Sequence, residues 1–290
     1  MRVCIIILIL LIFLIILASV YGYIKYRTII NTISKIGDNI TTQFYDIVYP
    51  DTLPPFESNN DIAKLGISSV LSAVNFYQGA TLYLPPYLEM VNSLPSNYGI
   101  VMRPTVESDI DYIVALRGTL SHTDIISDIR WVQIPYHGLG NVHSGFAGVA
   151  NTIYPHLKFR PGSNVIITGH SLGASAAELI ATRLAKQQNI NVQLYISARP
   201  RTGDLLWDNN VRKYVKRHIL INQSDDIPVF PLPTMVKDKI GYGFIGPQID
   251  ETTYFDYQTG SIIDNHNPLV YHYALYKGKP PFPWKWFNEP

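Results

Sequence analysis

The sequence is short of cysteine and of charge, and both shortages narrow the kind of protein it encodes. Its one cysteine among 290 residues is Cys4, so no disulfide can form within the chain. Charged residues make up 16% of the sequence, and the formal net charge is +1. That balance lacks the basic excess of a nucleic-acid-binding protein. The spacing of the histidines and carboxylates does not resemble a metal site either.

Charged residues are also absent from a long, almost wholly apolar N-terminal run, Val3 to Ile24. Its length suits a membrane span, so we predict a single-pass anchor at residues 1–24. The alternative is a secretory signal peptide and a secreted protein, although Ala18–Gly22 lacks an obvious cleavage pattern. Residues 25–60 are interpreted as a connector. The proline- and aromatic-rich residues 278–290 are interpreted as a tail, which we expect to pack on the domain.

The remainder is organised around Val165–Ala181, which reads VIITGHSLGASAAELIA. Apolar, mostly β-branched residues lead into Gly169–Gly173, and a helix-forming run follows. This pattern predicts a buried strand, a sharp turn and a helix, with Ser171 at the turn. Glycine is needed because the backbone is close-packed at such a turn. The result is a nucleophile elbow that presents the Ser171 hydroxyl above the edge of a sheet.

Other segments indicate the fold class. Tyr112–Leu116 is apolar enough for a strand buried on both faces, and Asp61–Tyr77 has helical spacing of its apolar residues. Further strands are predicted at Thr81–Leu84, with a hairpin at the sheet edge over Tyr254–Ile263. The alternation of strands and helices predicts an α/β fold, a mostly parallel sheet covered by helices on both faces.

A serine nucleophile needs a base to take its proton and an acid to orient that base. In an elbow-type hydrolase the chain order is serine, acid, histidine. After Ser171, the acid is Asp225 or Asp226, and the base is His266 or His272. The N–H groups of Leu172 and Thr119 are placed to form an oxyanion hole.

Together these motifs resemble the class 3 lipases, the fungal-lipase-like branch of the α/β-hydrolases. The resemblance covers roughly Asp61 to Tyr276. Four segments match that family's motifs in its order: Val114–Thr119 (VALRGT), followed by Asp124 and Asp128; Val142–Phe146 (VHSGF); Gly169–Gly173 (GHSLG); and Pro200–Asp204 (PRTGD).

The resemblance implies a role for each matched position. Ser171 would be the nucleophile, and Thr119 and Leu172 would donate to the oxyanion. The family's pattern N-x-x-D-x-[VI]-P-x-x-P fits this chain best with Asp225 as the acid, and so favours it over Asp226. The family's pattern D-H-x-x-x-x-Y, close to the C-terminus, favours His266, with Tyr271 five residues later, over His272. The family needs no metal and no other cofactor.

Two segments leave their role in the resembled family open. Ala198 and Arg199 stand where the family has glycine and a small residue, and they could reshape the acyl pocket. His122–Trp131 corresponds to the lid of fungal lipases, but its apolar residues also fit an ordinary packed helix.

We therefore predict a membrane-anchored serine hydrolase that cleaves carboxylic ester bonds of lipids, of acylglycerol lipase or phospholipase A type. Its partners would be a lipid ester substrate and, through the N-terminal helix, a membrane. Two alternatives stay open. One is an esterase acting on soluble esters. The other is a catalytically silent, lipase-like binding protein.

Overall fold

A seven-stranded sheet organises the chain in the computed structural model, which describes residues 47–56, 58–118, 132–231, 235–236, 239–240 and 252–276. Several predictions fall outside these residues: the anchor at residues 1–24, most of the connector, Thr119, the segment His122–Trp131 and the tail at residues 278–290. The structure therefore gives no account of them.

The strands of the main sheet are β1 (Leu88–Ser93), β2 (Gly99–Pro104), β3 (Tyr112–Leu116), β6 (Asn164–His170), β7 (Asn191–Ser197), β8 (Lys216–Asn222) and β11 (Thr252–Phe255). They lie in the order β1-β2-β3-β6-β7-β8-β11. The five strands from β3 to β11 run parallel, and β1 and β2 extend the sheet antiparallel. Two small hairpins pair β4 (Gln133–Pro135) with β5 (Asn141–His143), and β9 (Met235–Val236) with β10 (Lys239–Ile240).

Helices cover both faces of this sheet, as predicted. They are α1 (Asn59–Tyr77), α2 (Ser144–Ile153), α3 (Leu172–Gln188), α4 (Leu205–Tyr214), α5 (Ile262–Asn265) and α6 (Pro268–Tyr276). Helices α2, α3 and α4 share one hydrophobic core with alternate residues of the central strands. Helix α1 shares a second core with the residues between them, because successive strand side chains point to opposite faces.

Two edge elements differ from the sequence-based expectation. Thr81–Leu84 is not a strand, and the strand at this edge is β1, Leu88–Ser93. Tyr254–Ile263 is not a hairpin. Instead, Thr252–Phe255 adds one parallel strand to β8, and a short helix follows.

The part of the chain before α1 is packed rather than extended into solvent where it is described. Tyr49 and Phe56 are buried in the same core as α1, and the Tyr49 hydroxyl lies 2.8 Å from Ser72 Oγ. Within the described ranges, no helix combines the length and apolar character needed to cross a membrane. The apolar run Val3–Ile24 lies outside those ranges.

Candidate active site

Ser171 lies at a sharp turn between β6 and α3. The strand ends at His170, the helix begins at Leu172, and Ser171 has a φ of 57°. A positive φ is uncommon for a residue with a side chain and is characteristic of strained functional turns. The Ser171 N–H donates to the Ser197 carbonyl at 3.1 Å, which ties the turn to the neighbouring strand. This geometry is the predicted elbow.

Two glycines make the turn possible. A Cβ on Gly169 would lie 2.4 Å from the Gly173 carbonyl oxygen. A Cβ on Gly173 would lie 2.5 Å from the Leu116 carbonyl oxygen. Real Cβ atoms do not approach oxygens so closely, so any side chain at either position would force the helix away from the strands.

Three predicted residues meet at the carboxyl ends of the parallel strands. His266 Nε2 lies 2.7 Å from Ser171 Oγ, and His266 Nδ1 lies 2.7 Å from Asp225 Oδ2. Their relative exposures are 1% for Ser171, 4% for Asp225 and 3% for His266. The chain of contacts runs from hydroxyl to imidazole to carboxylate, in a setting that excludes water.

The Asp225 carboxylate is held by other donors. Its Oδ1 accepts from the Ile227 N–H at 2.9 Å, and its Oδ2 also accepts from the Tyr271 hydroxyl at 2.5 Å. Burial, and then the charge of Asp225, raise the pKa of Tyr271 well above its ordinary value. Tyr271 therefore stays protonated and donates. The Asn222 N–H donates in turn to the Tyr271 hydroxyl at 3.2 Å.

The alternative candidates lie elsewhere. His272 is buried, and its Nε2–H donates to the Val48 carbonyl at 3.0 Å. The carboxylate that contacts His266 belongs to Asp225, whereas Asp226 precedes a turn of 3₁₀ helix. Among the described residues, no group of three His, Cys, Asp or Glu side chains could hold a metal ion.

The two residues predicted to form the oxyanion hole are Leu172 and Thr119. Leu172 is the first residue of α3, so its N–H is one of those that a helix start leaves without an intrahelical acceptor. Thr119 lies outside the described residues. The residue before it, Gly118, is close to the turn, because a Cβ there would lie 3.1 Å from Ser171 Cβ.

The histidine of the VHSGF segment acts locally. His143 caps α2, and its Nδ1 accepts from the Gly145 N–H at 3.0 Å. Its ring stacks on Phe146 with centroids 4.3 Å apart. Burial lowers the pKa of His143 to about 4, so this imidazole is neutral at pH 7.

Arg199 takes part in a buried ion pair. Its guanidinium contacts the Glu178 carboxylate on α3, with Nε 2.5 Å from Oε2, and both side chains are buried. Arg217 also pairs with Glu178, at 3.0 Å. Ala198 has a φ of 52°, which explains why a glycine suits this position in the resembled family. The prediction that Ala198 and Arg199 could reshape the acyl pocket stays a prediction.

The mostly parallel sheet and the sharp turn at Ser171 are consistent with an α/β-hydrolase fold. Residues 113–235 match the family described as Lipase (class 3). This segment contains the elbow, the PRTGD segment and Asp225. Over these residues the chain is similar to the class 3 lipases.

Individual relatives agree with that assignment. The chain is 28% identical to a lipase of Rhizomucor miehei over 140 residues, which are 43% of this chain and 39% of that protein. It is 30% identical to the secreted mono- and diacylglycerol lipase A of Penicillium cyclopium over 88 residues, 30% of this chain and 27% of that one. The match thus spans less than half the length of these relatives.

The fold also matches solved structures. The lipase of Rhizopus microsporus var. chinensis superposes with a TM-score of 0.50 at 18% identity, covering 67% of this chain and 79% of the other. At that identity the likeness supports the fold alone.

Proposed function

We propose that this protein is a serine hydrolase that cleaves carboxylic ester bonds of lipids. One observation carries the proposal: Ser171 Oγ, the His266 imidazole and the Asp225 carboxylate form a continuous chain of contacts, with both distances 2.7 Å. Hydroxyl, imidazole and carboxylate in this order are the groups that activate a serine for acyl transfer.

In the proposed mechanism, His266 Nε2 takes the Ser171 proton as Oγ attacks the ester carbonyl carbon. The carbonyl electron pair moves to the oxygen, which accepts from the N–H groups of Leu172 and Thr119. His266 then gives its proton to the departing alcohol, which leaves an acyl-serine. Water, deprotonated by the same imidazole, attacks the acyl-serine and releases a carboxylic acid. Asp225 orients His266 and stabilises its cation.

Several features favour a lipid substrate over a soluble ester. Leu205 and Leu206 are exposed at the start of α4, and Val229 is exposed in the 3₁₀ turn after β8; both segments follow the carboxyl ends of parallel strands, where Ser171 also lies. Apolar side chains exposed beside a site are suited to contact with a lipid surface. The Penicillium relative is named as a mono- and diacylglycerol lipase, which supports an acylglycerol substrate.

We also propose that Val3–Ile24 holds the enzyme at a membrane. The length of this apolar run supports the proposal. The name of the Penicillium relative describes a secreted enzyme and supports the alternative, in which the same run is a signal peptide.

The substrate class is tested with the full-length chain in detergent micelles. Hydrolysis of dioleoylglycerol, monooleoylglycerol, phosphatidylcholine and p-nitrophenyl butyrate is measured beside Ser171→Ala. We expect the wild type to prefer an acylglycerol and Ser171→Ala to be inactive. Activity confined to dissolved p-nitrophenyl butyrate would support the soluble esterase instead. Equal inactivity of both proteins on all four substrates would support a silent binding protein.

A further inference from the structure

His170, immediately before the serine, connects two distant parts of the chain. Its Nδ1 lies 2.9 Å from Ser197 Oγ at the end of β7, and its Nε2 lies 2.8 Å from the main-chain carbonyl oxygen of His266. The second contact joins residues 96 positions apart. His170 is buried, and its ring centroid lies 5.0 Å from that of His266.

The two partners determine which nitrogen of His170 carries the proton. A carbonyl oxygen can only accept, so Nε2 must be protonated and donate to His266. In the neutral imidazole Nδ1 is then an acceptor, and the Ser197 hydroxyl donates to it. The His266 carbonyl thus selects this tautomer, and the Ser197 hydroxyl matches it by donating to Nδ1.

The backbone of His266 needs such support because of what its ring does in the proposed reaction. The hydrogen-bond partner of His266 Nε2 changes during the reaction, from the Ser171 hydroxyl to the leaving alcohol and then to water. The ring therefore keeps no constant partner on that side. The main chain at His266 is held instead by hydrogen bonds to two successive carbonyl groups. The His266 carbonyl accepts from His170, and the preceding carbonyl, of Asn265, accepts from Asn222 Nδ2 at 3.2 Å.

We propose that His170 is a positioning residue, whose neutral Nε2–H holds the main chain of His266 so that the imidazole keeps its place between Ser171 and Asp225. The Ser197 hydroxyl donates to Nδ1 of the same tautomer. The inference deepens the proposed ester hydrolysis and depends on it for its effect on rate. The tautomer itself does not depend on activity.

The kinetic test compares His170→Leu with His170→Gln in the full-length chain. Leucine has no donor, whereas the glutamine amide can place an N–H close to the position of Nε2. We expect His170→Leu to lower kcat about tenfold or more with KM changed less than about twofold, and His170→Gln to recover most of the loss. A general packing role would instead lower the melting temperature and kcat alike in both variants. Equal losses in the two variants would overturn the proposal.

A second measurement judges the proposal without turnover. Long-range ¹⁵N NMR of the Ser171→Ala protein should show His170 as the Nε2-protonated neutral tautomer at neutral pH. In Ser171→Ala/Ser197→Ala the same resonances should still show the Nε2-protonated form, because the His266 carbonyl can only accept. A predominantly Nδ1-protonated His170 in the first protein would refute the positioning role. If the wild type hydrolyses no ester but this tautomer is found, the hydrolase proposal fails and the tautomer assignment stands.

Discussion

At the scale of single residues, the hydrogen bond from the Tyr271 hydroxyl to Asp225 supports the proposed mechanism from outside the three reacting residues. The hydroxyl donates to the same oxygen of Asp225 that faces His266. Hydrogen bonds to a charged group contribute about 1.5–3 kcal/mol, so their loss lets the carboxylate turn. Tyr271→Phe should therefore lower kcat roughly tenfold with little change in KM.

The measurement is steady-state hydrolysis by Tyr271→Phe beside Tyr273→Phe. Tyr273 lies on the same helix and is half-buried, with its ring against Tyr257. A full rate in Tyr271→Phe, or equal losses in the two variants, would show that the Asp225 contact does not matter to the rate.

Ala198 gives a second prediction at this scale. Its left-handed φ of 52° costs an alanine about 1–2 kcal/mol. Its buried methyl returns about 0.8 kcal/mol, and a glycine would lose a further 0.4–1 kcal/mol through the freedom of its unfolded chain. Because these effects nearly cancel, Ala198→Gly should change the free energy of unfolding by less than about 1 kcal/mol. Urea unfolding measures it, and a change above about 2 kcal/mol in either direction would contradict the balance.

Residue patterns in the sequence predicted much of this site, but only the part with local signals. Ser171 has a strand and glycines around it, and Asp225 and His266 follow from the order of the motifs. The link from His170 to His266 has no local signal, because it depends on how two loops meet at the end of the sheet. The ion pair of Arg199 has no local signal either, since its partner Glu178 lies on a helix 21 positions earlier.

At the scale of elements, a buried ion-pair cluster joins α3 to α4 and to the strands beneath. Glu178 on α3 contacts Arg199, Arg217 and the Trp207 indole N–H, and Asp208 on α4 also contacts Arg217. Burial alone would raise the pKa of Glu178, but the two arginines and the hydrogen bonds lower it to about 2. The carboxylate is therefore charged in the folded protein.

Glu178→Leu should destabilise the fold by about 3–5 kcal/mol, because it leaves buried arginine charge without its partner. Glu178→Leu/Arg199→Leu should recover part of that loss, since Arg217 keeps Asp208. Chemical unfolding measures both. The control is Glu89→Ala, which breaks an exposed pair with Arg103 and should change stability by less than about 1 kcal/mol. A Glu178→Leu protein as stable as this control would refute the assignment.

The central elements were predictable from sequence, and the edges were not. Strands β3 and β6 are apolar throughout because both faces are covered. Strand β1 is exposed at every residue after Leu88, so it lacks both an apolar run and a clear alternation. Strand β11 has only four residues and pairs parallel with β8. A parallel pair has no hairpin turn between its strands, so no local sequence pattern indicates this pairing.

At the scale of the whole molecule, buried neutral histidines make stability depend on pH. Burial lowers the pKa of both His143 and His272 from 6.5 to about 4. Unfolding restores the ordinary value, so the unfolded chain binds more protons between these limits. Their contribution to stability is complete above about pH 6.5 and is lost as the pH falls toward 4. Glu178 acts in the same direction over a lower window, from about 4.5 toward 2.

Urea unfolding at pH 7.5, 6, 5 and 4 tests this expectation. The wild type should lose a few kcal/mol across the series, and His143→Gln/His272→Gln should lose much less. The exposed His156 provides the control, because His156→Gln should keep the wild-type slope. A slope in the double variant equal to that of the wild type would exclude these two histidines as its source.

The distribution of exposed apolar side chains predicts how the molecule meets a lipid surface. Leu205 and Leu206 are 54% and 57% exposed at the edge that carries the site, whereas Val106 is 51% exposed in the loop that enters β3 at the opposite edge. Leu205→Ser/Leu206→Ser should lower hydrolysis of emulsified acylglycerol several-fold and leave p-nitrophenyl butyrate hydrolysis unchanged. Val106→Ser should alter neither rate. Equal losses on both substrates in the leucine variant would argue against surface contact.

The central claim is that Ser171 is a nucleophile activated by His266, and active-site labelling tests it most directly. The full-length wild type, Ser171→Ala and His266→Ala are treated with a fluorophosphonate, and the modified peptide is identified by mass spectrometry. We predict one label per chain on Ser171, none in Ser171→Ala, and labelling slowed at least about a hundredfold in His266→Ala. An unlabelled wild type, a label on another residue, or full-rate labelling of His266→Ala would contradict the claim.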